Sequence, residues 1–75
     1  PTGAYVRTVY AQAPAYQAGM RVADIITKID DSIVGGMTDV YNILLQHNSE
    51  EKVICTVMRK SGDKYITKKL KVKLQ

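Results

Sequence analysis

Pro14-Ala15-Tyr16-Gln17-Ala18-Gly19-Met20-Arg21-Val22-Ala23-Asp24-Ile25-Ile26-Thr27-Lys28-Ile29-Asp30 is the stretch that decides the fold. Pro14 suits the first turn of a helix, where its missing N–H costs nothing. Gly19 suits the left-handed position just past that helix. A short helix over 14–18 is therefore expected, with Gly19 as its stop. Met20 restores an apolar anchor. A turn ending in Asp24 then leads into a strand over 24–30, carried by Ile25, Ile26, Lys28 and Ile29.

Upstream, Gly3 to Val9 reads as a strand, with Ala4 and Val6 on one side and Tyr5 and Arg7 on the other, an irregularity near Thr8 bringing Val9 to the side of Val6. Downstream, Asp30-Asp31 reads as a tight turn, because short acidic side chains bond nearby backbone N–H groups. Ser32 to Val34 is a short strand and Gly35-Gly36 a flexible break. Thr38 is placed to cap a second helix, with Asp39 adding a negative charge to its first turn. That helix is expected to run to about His47. Val40, Ile43, Leu44 and His47 follow the i, i+3, i+4, i+7 spacing of one apolar face, which Tyr41 and Leu45 widen.

Lys52 to Lys60 alternates Val53, Cys55 and Val57 against Ile54, Thr56 and Met58. Ser61-Gly62-Asp63 reads as a hairpin turn. Lys64 to Leu74 is the returning strand. The order is strand, short helix, strand, short strand, helix, strand, strand. It fits a small α+β domain: a curled, mostly antiparallel sheet of about five strands, a partial barrel, capped by two helices.

Seventy-five residues make one domain at most. With no Trp and no Phe, the core must come from Val, Ile, Leu, Met and Ala. A chain of this size buries only about 60% of its unfolded surface, so stability is expected to be marginal. No run of about 18 apolar residues is present to span a membrane. The sequence starts at Pro1 without a signal peptide and reads as an excised domain.

The net charge of +4 has a local source. Arg59, Lys60, Lys64, Lys68, Lys69, Lys71 and Lys73 all lie in 59–73. Lys69, Lys71 and Lys73 alternate with Leu70, Val72 and Leu74, which describes a strand with one wet and one core face. Such lysines also discourage edge-to-edge pairing. A nucleic-acid stripe would add aromatics or Arg for stacking and base contacts, and only Tyr65 lies nearby. Attraction to an anionic membrane surface or an acidic partner is the other functional reading.

The sequence assembles no catalytic or metal site. The single Cys55 shares the parity of Val53 and Val57 and reads as a small buried hydrophobe. His47, the sole histidine, reads as a helix-end residue favourable to the local dipole. Asp30 and Asp31 lack the spaced carboxylates of a calcium loop. No Gly-Lys-Ser/Thr follows Gly35-Gly36, so there is no phosphate loop. No cofactor is called for.

From Gly3 to Leu74 the pattern resembles a bacterial PDZ domain, and is most similar to those attached to HtrA-type, trypsin-like serine proteases. The matching pieces are Gly3-Ala4-Tyr5-Val6, Ala13-Pro14-Ala15-Tyr16-Gln17-Ala18-Gly19-Met20, Ala23-Asp24-Ile25-Ile26-Thr27-Lys28-Ile29-Asp30-Asp31 and Val53-Ile54-Cys55-Thr56-Val57-Met58-Arg59-Lys60-Ser61-Gly62. Two departures stand out. The family usually has Gly where this chain has Ala23, and a positive φ there would cost Ala roughly 1 kcal/mol or more. In the family, the carboxylate-binding loop and the strand that receives the peptide precede the equivalent of Gly3–Val9, and that N-terminal strand is not in this sequence.

The resemblance implies a non-catalytic module of a bacterial envelope, extracytoplasmic protease. It would bind peptide C-termini or unfolded protein segments by strand addition, and regulate the parent protease domain. It places the wall of the peptide groove on the 38–47 helix. Val40 and Leu44 match core-facing positions, which leaves Asp39, Asn42, Ile43 and Gln46 to line the groove, with Ile43 as its apolar contact. The alternative is that Ile43 packs into the core like its neighbours. The same module also occurs in C-terminal processing proteases, membrane metalloproteases and secretion components. From another class, the basic last hairpin could serve a surface-docking or structural domain. Nucleic acid and direct membrane insertion are not expected. Without that carboxylate loop this chain is expected to bind free C-termini weakly or not at all, and an unpaired Gly3–Val9 edge predicts a homodimer by edge pairing or strand exchange at high concentration.

Overall fold

A computed structural model describes residues 2–48 and 50–74. The elements are β1 (Ala4–Tyr5), α1 (Pro14–Gln17), β2 (Ile25–Ile29), β3 (Ser32–Ile33), α2 (Met37–Leu44), β4 (Lys52–Ser61) and β5 (Lys64–Lys73). The sheet runs in the order β1-β2-β4-β5, with β3 paired to β2, and every pairing is antiparallel. The expected α+β architecture, five strands in an open curled sheet with two helices, is present.

The β4–β5 hairpin is the longest pairing, registered from Lys52↔Lys73 to Ser61↔Lys64. Its alternation sends Val53, Cys55, Val57, Leu70 and Val72 into the core. The turn is tighter than expected, since Ser61 belongs to β4 and only Gly62-Asp63 connect the strands. Gly62 has φ +64, as the first central residue of a type II′ hairpin requires.

In β2 the register shifts between Ile26 and Lys28. This bulge absorbs Thr27, so Ile26 and Ile29, three apart, both reach the core. Asp30 then turns the chain with φ 51, a conformation Asp tolerates. Its backbone N–H donates to the Ile54 carbonyl at 2.8 Å, and its Oδ1 accepts the Ile54 N–H at 2.9 Å. Gly3 lies so close to β2 that a Cβ would stand 2.3 Å from the Ile26 carbonyl oxygen. No other residue fits there.

Several expected boundaries move. The strand expected over 3–9 pairs regularly only at Ala4–Tyr5. Val6 still donates to the Asp24 carbonyl at 2.9 Å and accepts from Ala23 N–H at 2.8 Å. Beyond it the chain has no strand opposite, because 21–24 are folded into a turn. The cap of α2 is Gly36, not Thr38. Asp39 reaches back instead, its Oδ2 accepting the N–H of Gly35, the residue before the cap, at 2.7 Å. Helix α2 stops at Leu44 rather than His47, because the Gln46 and His47 N–H groups bond the carbonyls three residues back. Tyr41 and Leu45 do not widen the apolar face; they are 65% and 83% exposed. Val40 is buried, and Ile43 and Leu44 pack partly buried against the core.

Candidate functional site

The 14–30 stretch is locked by a buried ion pair that the sequence did not reveal. Asp24 is 1% exposed. Its two oxygens accept from Arg59 Nε at 2.8 Å and Nη2 at 2.7 Å, and Oδ2 also accepts the Arg21 N–H at 2.9 Å. The same Nη2 donates to the Gly19 carbonyl at 2.7 Å. Arg59 therefore ties the end of α1 to the start of β2. Burial pushes the Asp24 carboxyl up, but the Arg59 and Arg21 hydrogen bonds and charges outweigh it and hold its pKa below 3.8. Asp24 N–H also closes the turn onto the Arg21 carbonyl at 3.1 Å. With φ 77 at Ala23 and none positive at Val22, this is a type II turn whose third position favours Gly. Arg21 itself stacks over the Tyr16 ring at 3.8 Å and donates to the Tyr16 and Met20 carbonyls.

The surface beside β1 is open. Val6 turns both backbone groups toward the 23–24 turn. By the alternation of an antiparallel ladder, Tyr5 and Arg7 direct theirs to the outer edge. Along that edge lies an apolar cavity of about 460 Å³, lined by Tyr5, Val6, Thr8, Val9, Met20 and Met37 among others. β1 is the terminal strand of the sheet order. Unpaired backbone beside an apolar trough is the arrangement that accepts an extended chain as an added strand.

The four residues expected on the groove wall occupy different settings. Asp39 and Asn42 are exposed on α2, and Gln46 is exposed in the turn that follows it. Ile43 is partly buried and packs against the core. From α2 only Met37 lines the apolar cavity. Met37 was missed because the helix was started at Thr38. The signal was available, since Met37 stands three residues before Val40 and seven before Leu44.

His47 closes the far end of α2. Its Nδ1 lies 2.9 Å from the Ile43 carbonyl, and its Nε2 lies 3.6 Å from Asp30 and 3.9 Å from Glu51. The Ile43 carbonyl, followed by the two carboxylates, raises its pKa above 6.5. Cys55 is buried, and desolvation pushes its thiol up to about 11, so no thiolate nucleophile forms at neutral pH. Among the described residues no group of three His, Cys, Asp or Glu side chains is disposed to hold a metal ion.

Comparison with known proteins places this geometry. The family model of the PDZ domain matches residues 5–57. The "Serine protease Do-like HtrA" of Lactococcus lactis subsp. cremoris (strain MG1363) is 39% identical over 57 residues, which cover 76% of this chain and 14% of that protein. The protein of the same name from Lactococcus lactis subsp. lactis (strain IL1403) is 37% identical over 57 residues, with the same coverage. The match thus spans about one seventh of each relative's length. The chain belongs to the PDZ domain family and is similar to the PDZ part of HtrA proteases.

Proposed function

We propose that this domain is the peptide-binding module of a bacterial envelope serine protease. It recognises exposed C-termini or unfolded segments by strand addition and so regulates the protease. The observation that carries the reading is the apolar cavity that runs beside β1 and reaches Met37 of α2. In the family the strand that receives the peptide precedes β1; that strand would pair with β1 along the trough, and the ligand would add to it with α2 as the opposite wall. Asp39, Asn42, Ile43 and Gln46 would then flank the ligand, with Met37 beneath it. The carboxylate would be held by backbone N–H groups of the loop that, in the family, precedes that receiving strand.

Fluorescence polarisation with labelled peptides ending in a free carboxylate or an amide tests this. A protein extended upstream of Pro1 binds the free-acid peptide, and Met37→Asp or Ile43→Asp abolishes binding. The 75-residue chain binds weakly or not at all. Failure of the extended protein to bind either peptide would refute the proposal, as would indifference to both substitutions. The open β1 edge supports self-association, to be sought by light scattering at high protein concentration.

A further inference from the structure

The face of the sheet that points away from the core carries a field of lysines. Alternation along β4 and β5 puts Lys52↔Lys73, Ile54↔Lys71, Thr56↔Lys69, Met58↔Thr67 and Lys60↔Tyr65 on this outer face. Lys28 of β2 pairs with Thr56 and joins the same row. Six ammonium groups therefore sit on one side of a three-stranded surface. Strands of this length extend about 30 Å.

Among the described residues only Lys73 of these six has a carboxylate within ion-pair distance, Glu50 at 3.7 Å. Asp30 and Asp31 lie at the rim of the shallow depression between Lys28 and Lys69. Asp30 is engaged by the Ile54 N–H and stands near His47. Neighbouring like charges, as in the Lys52↔Lys73 pair, disfavour one another across a strand pair. They gain when an extended negative surface lies over them.

We propose that this outer face docks on the surface of an anionic phospholipid bilayer. Three features favour a bilayer over an acidic peptide or a nucleic acid. The charges are all lysine, point charges suited to diffuse negative potential rather than to bidentate recognition. They spread over a sheet face instead of converging on a cleft. Apolar groups are interleaved with them: Ile54 and Tyr65 are 36% and 41% exposed. Such residues suit the headgroup boundary, where Tyr presents an apolar body and a wet tip. The side chains lie on the interface and do not span it. Docking would leave the β1 edge free, since β1 is at the opposite end of the sheet order.

Each lysine near an anionic surface is worth about 1 kcal/mol, or roughly fivefold in binding. Flotation of the 75-residue chain with vesicles of phosphatidylcholine, alone or with about one third phosphatidylglycerol, tests the proposal. Binding is expected to the mixed vesicles only, and to fall steeply between low and high salt. Replacing Lys52, Lys69 and Lys71 together by Glu should weaken it at least about 100-fold. Lys71→Glu alone should weaken it more than tenfold, whereas Arg7→Glu, of equal charge change but on the β1 edge, should change it less than twofold. Circular dichroism and melting of each variant show that the fold is kept. The proposal is overturned if anionic vesicles are not bound at low salt, or if Lys71→Glu and Arg7→Glu weaken binding equally. It is also overturned if a polyglutamate or an oligonucleotide is bound under conditions where the vesicles are not.

Discussion

Ala23→Gly should stabilise this domain. Ala23 sits at φ 77 in the type II turn before β2, and its side chain is exposed, so removing the methyl group sacrifices no buried contact. Holding a residue with a Cβ in the left-handed region costs about 1–2 kcal/mol. Gly gives back about 0.4–1 kcal/mol through the greater freedom of the unfolded chain. The net gain is about 0.5–1 kcal/mol, which for a domain of this size raises Tm by roughly 3–6 °C. Gly62→Ala is the mirror experiment. Gly62 has φ +64, and a Cβ there would meet nothing within 4 Å. Its loss should be at least as large as the gain at position 23, because the first central position of a type II′ turn is less open to a residue with a Cβ than the left-handed region Ala23 occupies. Paired thermal and urea denaturation reads both. An unchanged or lowered Tm for Ala23→Gly, with Gly62→Ala destabilised as expected, would refute the assignment of strain to this turn.

Arg59→Met should cost about 3 kcal/mol at pH 7 by stranding the buried Asp24 carboxylate. Because the folded pKa of Asp24 is depressed, its contribution is present above the unfolded value of 3.8 and is lost as pH falls through the folded one. Urea denaturation should therefore show the gap between Arg59→Met and wild type narrowing below about pH 4; a constant gap would refute the pairing. His47 has the opposite sign. Its raised pKa contributes stability that is fully present below 6.5 and lost as pH rises through the folded value. His47→Gln should flatten wild-type stability between mildly acidic and mildly alkaline pH, and an unchanged slope in that variant would count against the Ile43, Asp30 and Glu51 contacts. Cys55 should resist a thiol reagent at pH 8 in the folded protein and react only as fast as the domain unfolds; immediate labelling of native protein would contradict its burial.

Elements whose pattern comes from one buried face were legible in the sequence. Val53, Cys55 and Val57 alternate because β4 covers the core on one side, and the same periodicity exposes the lysines of β5. Gly19 and Gly62 were legible because their backbone conformations exclude most other residues. The Ala23 departure from family pattern pointed correctly to a positive φ. What escaped depended on partners distant in sequence. The short span of β1 follows from the turn at 21–24 opposite it, and the start of α2 follows from a side chain reaching back from Asp39 to Gly35. Asp24 read as the end of a turn, and nothing local shows that Arg59 completes it. At the site, the resemblance pointed to Asp39, Asn42, Ile43 and Gln46, whereas the cavity reaching Met37 emerged only once β1 and α2 were set side by side.

The Arg59 clamp also sets a schedule. Its partners Gly19 and Asp24 precede it by 40 and 35 residues. At synthesis rates of about 5–20 residues per second, the guanidinium arrives roughly 2–7 s after the carboxylate. During that interval the 14–30 segment has a buried-type acid without its cation, and a nascent chain ending before β4 has no means to hold α1 against β2. The part of the molecule easiest to recognise is thus among the last to become rigid, and a truncation before Arg59 should leave it as unstructured chain.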